Sequence, residues 1–237
     1  MSFAKKPSDM DYSAIINIHT FIGFSALGSF WVAALSRKGM YVHRTAGKIY
    51  ILSMLVILAS VIPMIIVKAR EGDIVFCIIL GYLFSIAAVA TYVTWFAIQK
   101  KKTREDYHSP IFKIIATILF FYGLGICIIG IRNGSLLQIV FSSVGLVLGA
   151  SMWWSVWSKS VPKNWYLAQH MNGVAVNFAA THGSFFRFGL TGLLPIPDSP
   201  ELNTFAQTSM IVLALVLRLW LGKKFLINKN LAKAVFK

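Results

Sequence analysis

Residues 46–67 read AGKIYILSMLVILASVIPMIIV, an apolar run whose one charge, Lys48, lies near its start. At 1.5 Å per residue such a helix is about 33 Å long, enough to cross roughly 30 Å of hydrocarbon. Comparable runs recur on either side, near 13–35, 73–99, 111–131, 135–158, 165–187 and 204–222. The chain of 237 residues is 57% hydrophobic and only 13% charged, which is not the composition of a soluble domain. The sequence therefore predicts an all-α, polytopic membrane helical bundle. It divides into a seven-span transmembrane domain over 1–222 and a basic amphipathic tail over 223–237. Residues 1–11 are too polar for a cleavable signal peptide, so the first span is expected to act as its own uncleaved anchor.

The net charge of +15 would suit a nucleic-acid binder, but the position of the charges argues for lipid. Arg37, Lys38, Arg44 and Lys48 cluster in the first connection, Lys100, Lys101, Lys102 and Arg104 in the third, Lys159 and Lys163 in the fifth. The tail adds Lys223, Lys224, Lys229, Lys233 and Lys237. The other connections are nearly balanced. Basic alternate loops mark the cytoplasmic side, so the N-terminus is expected outside and the tail inside, facing anionic headgroups. Cys77 and Cys127 fall about one turn inside the outer ends of their spans. They could pair on the oxidising side, but two buried unpaired thiols are the simpler reading.

No carboxylate lies well inside a span; the ionisable groups that approach the bilayer are mainly His19, His43, His170 and His182. Ionisable groups at such depth are expensive and mark function. The surrounding pattern is His19, Gly23, then Ala26, Leu27 and Gly28, followed in the next span by His43-Arg44, Gly47 and Tyr50. The sixth span opens with His170-Met171 and Gly173 and goes on to Ala179, Ala180 and Thr181. This set of His-x-x-x-Gly, His-Arg-x-x-Gly and His-Met-x-Gly motifs resembles an uncharacterised family of bacterial multi-pass membrane proteins. The resemblance covers spans one, two and six, and implies a bacterial inner-membrane location; it brings no biochemistry with it.

Depth along the helices sorts the four histidines into an outer pair, His19 and His182, and an inner pair, His43 and His170. His170 and His182 differ in depth by roughly 18 Å. Two imidazoles at one depth from different helices are how membrane cytochromes b hold a haem, and the layout is similar. Gly23 and Gly173 would leave room for a flat macrocycle. Arg44, with Lys48, Lys163 and Arg187, could meet its propionates. Twelve residues leave His170 and His182 about 120° apart around their helix, which favours one haem on the inner pair over two. The function expected first is thus b-type haem binding and electron transfer, with electrons from a quinone pool or a redox protein. His43 and Arg44 could equally cap helix carbonyls or bind lipid phosphate.

Two other readings stay open. His170, Gly173, Asn177, Thr181 and Ser184 form one polar stripe, so Asn177 and Thr181 could line the cavity of a non-redox binding or transport protein. Span five offers Gln138, Ser142, Gly145 and Gly149, read as helix packing, and span three offers Ser85, Tyr92 and Gln99. A membrane zinc hydrolase would need His43, His170 and His108 to converge. His108 reads instead as a surface histidine of a solvated loop. The lack of a lysine in the middle of span seven, where a Schiff base would form, speaks against a retinal protein. Trp153, Trp154, Trp157 and Trp165 suit an interfacial belt.

Overall fold

The computed structural model describes residues 7–159, 162–189 and 199–227. All regular elements among them are helical: α1 (Pro7–Leu35), α2 (Tyr41–Arg70), α3 (Ile74–Gln99), α4 (Arg104–Tyr107), α5 (Pro110–Arg132), α6 (Leu136–Trp157), α7 (Trp165–Ser184) and α8 (Pro200–Gly222). Helices α7 and α8 run on into π-helical turns, Phe185–Gly189 and Lys223–Ile227. Most of the predicted tail, 228–237, and the proline-bearing stretch 190–198 lie outside the described residues.

Six helices are long and apolar enough to cross a membrane: α1 from Tyr12, α2, α3, α5, α6, and α8 from Glu201 to Leu226. The chain is a multi-pass membrane protein. Helix α7 stands where the sixth span was expected, but His170, Asn172, Asn177, Thr181 and His182 leave it too polar to join the six on composition. Apolar residues recur at helical spacing on exposed faces, such as Ile114, Ile118 and Phe121 on α5 and Val212, Leu215, Val216 and Leu219 on α8. Such faces suit hydrocarbon, where a helix already satisfies its own backbone.

Local chemistry sets the ends. Ser109, Ser135 and Ser199 cap α5, α6 and α8 by accepting from Phe112 N at 3.4 Å, Gln138 N at 3.4 Å and Leu202 N at 3.1 Å. Gly134, at φ +62°, reverses the chain between α5 and α6, and Ser135 N then donates to Gly130 O at 2.9 Å. Only glycine takes that left-handed conformation at no steric cost.

The chain forms two compact units, Met1–Phe84 and Ser85–Lys237, with the boundary inside α3. In the first, α1 and α2 pack as a hairpin. Ala26 of α1 is fully buried and Ser25 meets Ser53 at 3.3 Å. Tyr50, from the His-Arg-x-x-Gly stretch, is buried edge-on to Phe30 at 5.5 Å. In the second, α5 and α6 approach closely at glycines. A Cβ at Gly149 would lie 3.0 Å from Ala116 O, and one at Gly130 3.0 Å from Ile139 N. The polar face read on span five, with Ser142, Gly145 and Gly149, is buried.

Candidate functional site: the histidines and the polar face of α7

Helix α2 starts at Tyr41, so His43 and Arg44 sit in its first turn. His43 Nδ1 donates to Ala33 O at 3.0 Å, one of the last-turn carbonyls of α1. Those carbonyls have no partner within their own helix. Lys38 Nζ donates to Ala33 O at 3.2 Å and also to Ala34 O. His43 thus closes the α1–α2 hairpin by capping one helix from the next. Arg44 and Lys48 are exposed. Higher on the same hairpin, His19 Nδ1 meets Ser60 Oγ at 2.7 Å. The Ser60 hydroxyl gives its hydrogen to Ile57 O at 2.6 Å, so His19 is the donor. Nothing lies within 4 Å of where a Cβ at Gly23 would be.

The second unit holds the densest polar arrangement, where α7 crosses the later turns of α3. His170 Nδ1 donates to Thr94 O at 2.8 Å. Asn177, fully buried, donates from Nδ2 to Thr94 Oγ1 at 3.2 Å and accepts at Oδ1 from Thr91 Oγ1 at 3.3 Å. Thr94 Oγ1 in turn donates to Ala90 O at 2.7 Å, and Thr181 Oγ1 donates to Asn177 O at 2.8 Å. The two helices can come this close because residue 173 is glycine. A Cβ there would lie 2.7 Å from both Ala90 O and Thr94 N, and would collide with Thr94 Oγ1. Expected to leave room for a macrocycle, Gly173 instead abuts the backbone of α3. Asn177, expected to line a cavity, is engaged in this crossing, and Thr181, expected beside it, bonds back to its own helix.

His182 is buried and serves its own helix. Nδ1 donates to Phe178 O at 3.0 Å, with Thr181 Oγ1 at 3.3 Å, and the ring stacks on Phe178 at 4.1 Å. His170 and His182 keep separate neighbours. In all four histidines the fixed partner is a carbonyl, or a hydroxyl whose hydrogen is already given away, so Nδ1 carries the proton and Nε2 the lone pair. Among the described residues no three His, Cys, Asp or Glu side chains gather as metal ligands. Cys77 and Cys127 are free thiols.

His108 departs from its expected solvated setting. It is half-buried between Tyr107, Phe112 and Trp165, with ring centroids at 5.3, 5.1 and 6.3 Å. Its Nε2 donates to Ser155 Oγ at 3.0 Å, since that hydroxyl gives its own hydrogen to Met152 O at 2.7 Å. Burial, then Arg104 and Lys113, push its pKa down to about 4. Arg104 donates from Nη2 to Ser158 O at 2.7 Å and also to Ser155 O, ending α6. Tyr107 beside it is 1% exposed, and burial raises its phenol pKa.

Thr91, Thr94 and Arg218 are the polar partners that the sequence reading passed over. Ala87, Ala90, Thr91 and Thr94 fall at helical spacing, a small-residue face of the kind that admits a close neighbour. Gln207 of α8 is 2% exposed and packs against Gly183, and its Oε1 has no hydrogen-bond partner among the described residues. The chain matches no protein-family model, no curated protein and no solved structure.

Proposed function

We propose that this chain is a membrane b-type haem protein of electron transfer in which Nε2 of His170 is an axial ligand, with His43 a ligand candidate on its own α1–α2 hairpin. The observation that carries the reading is the 2.8 Å bond from His170 Nδ1 to the Thr94 carbonyl. A backbone acceptor on one ring nitrogen fixes tautomer and ring orientation and makes the other nitrogen a better donor to metal. The Ala33 carbonyl does the same for His43.

The donor set favours haem over zinc. Haem takes single imidazoles from helices, whereas a zinc centre needs three protein ligands together, and none gather among the described residues. The carrier reading is weakened because Asn177 spends both ends of its amide on α3. The fit is uneven: the space beside Gly173, next to His170, is filled by α3, and the open space lies beside Gly23, next to His19. His19 and His182 stay secondary, since the ring of His182 lies flat on Phe178.

Bound haem would supply a one-electron couple. The chain's own part is to hold the imidazoles in one tautomer and to keep water from them with apolar helices. Electrons would pass to or from a quinone or a redox protein. The same proposal takes α7 as a seventh span, with the N-terminus outside, the basic loops against anionic lipid, and a bacterial inner membrane as location.

The test is the oxidised and dithionite-reduced absorption spectrum of the detergent-purified protein, with iron and zinc analysis. A sharp reduced haem band with one iron per chain is expected. It should be lost in a His170→Ala variant that keeps its helical circular dichroism, and His43→Ala, read separately, decides whether His43 is a ligand. A colourless wild-type protein, or full colour in His170→Ala, overturns the proposal.

A further inference from the structure

Helix α8 carries one arginine, Arg218, and its surroundings are unusual for a charge inside a candidate span. Nε donates to Asn172 Oδ1 of α7 at 2.6 Å, and Nη2 reaches Ala168 O at 3.5 Å. Nη1 lies 2.7 Å from where a Cβ at Gly222 would be, so glycine at 222 is what leaves space for the guanidinium. The side chain is half-buried, and among the described residues no carboxylate lies within ion-pair distance of it. The sequence explains why. The eight acidic residues are Asp9, Asp11, Glu71, Asp73, Glu105, Asp106, Asp198 and Glu201, none of them in α7 and none later than Glu201. Glu201 starts the same helix, about 25 Å from Arg218 along the axis.

A part-desolvated guanidinium with no counter-charge is costly, and Arg has a planar fork suited to phosphate. Nη1 and the amide nitrogen of Asn172 both lack a hydrogen-bond partner among the described residues, so donors remain on both helices. This end of α8 also has the character of a membrane interface. Lys224 Nζ lies over the Trp220 ring at 5.3 Å and the Phe225 ring at 5.5 Å, and Lys223 is exposed.

We propose that Arg218, oriented by Asn172 and accommodated by Gly222, binds a phosphate-type anion between α7 and α8. The phosphate is that of an anionic phospholipid headgroup, with free inorganic phosphate as the other source of the same chemistry. This site stands independently of haem binding.

Full-length protein in detergent is equilibrated with vesicles of phosphatidylglycerol and phosphatidylcholine, and bound lipid is read by native mass spectrometry. The thermal midpoint is measured with and without inorganic phosphate. Wild type is expected to retain phosphatidylglycerol over phosphatidylcholine. Arg218→Gln should retain about tenfold less, since a charge-assisted pair is lost, and Arg218→Lys should recover part. Phosphate that raises the midpoint of wild type but not of Arg218→Gln, without lipid preference, would keep the site and assign it to the free ion. Asn172→Asp guards against a variant that fails to fold: its carboxylate gives Arg218 an internal partner, so lipid retention should fall while the midpoint rises. Equal retention and equal phosphate response in wild type, Arg218→Gln and Asn172→Asp would overturn the proposal and leave Arg218 as a tie between two helices.

Discussion

Replacing Gly173 by alanine tests the α3–α7 crossing at its tightest point. The new Cβ would sit 2.7 Å from Ala90 O and Thr94 N, where ordinary contact begins at 3.4 Å, so the helices must part by about 0.7 Å. That movement stretches the Asn177–Thr94 and Thr91–Asn177 bonds, now 3.2 and 3.3 Å, beyond hydrogen-bond range. Overpacking costs about 1–3 kcal/mol. The two lost interhelical bonds add about 0.6 kcal/mol each in a membrane protein. Alanine returns about 0.5–1 kcal/mol through its better helix propensity. The net loss is about 1–4 kcal/mol. Gly23→Ala is the control, because nothing lies within 4 Å of its Cβ position. It should be neutral or stabilising by up to about 1 kcal/mol. Unfolding in mixed micelles by increasing SDS, followed by circular dichroism, reads both. A Gly173→Ala protein as stable as Gly23→Ala would refute the close crossing.

The buried setting of His108 predicts a pH effect with a definite sign. Its folded pKa is about 4 and its ordinary value 6.5, so the unfolded chain takes up the proton first. Its contribution is complete above pH 6.5 and is lost as pH falls toward 4; thermal midpoints of wild type and His108→Gln should therefore converge over that window. A gap independent of pH would count against burial. Arg104→Ala should lower stability by about 1–3 kcal/mol by stripping the end of α6 of a charged donor, and Arg104→Lys should lose less; chemical unfolding compares them. Cysteines placed singly at Lys101 and Lys223, in a chain lacking Cys77 and Cys127, should be labelled from the same side of the membrane. Opposite sides would mean that α7 does not cross.

The helices were legible because hydropathy over a bilayer's thickness is a strong signal, and each expected span has a helix over most of its length. The serine caps at Ser109, Ser135 and Ser199 carry their signal locally in the same way. Contacts between helices were not legible. Gly173 reads alike in sequence whether its neighbour is a cofactor or another backbone, and here it is Ala90 and Thr94. Thr91 and Thr94 are unremarkable alone, and become polar partners only once Asn177 is brought opposite them. His108 and Arg104 looked like loop surface because nothing local shows that the end of α6 lies within reach. Arg218 was lost among terminal charges, although the lack of any acid after Glu201 could have drawn notice to it.

The turn at Gly134 bears on how this protein is made. Helices α5 and α6 are separated by three residues, Asn133, Gly134 and Ser135, too few for either to settle in lipid while the other waits in water. The two should leave the insertion machinery as one folded-over pair, with Arg132 the single charge carried at the bend. Orientation of that pair is then decided once during synthesis, and a basic residue added to the bend would act on both crossings together.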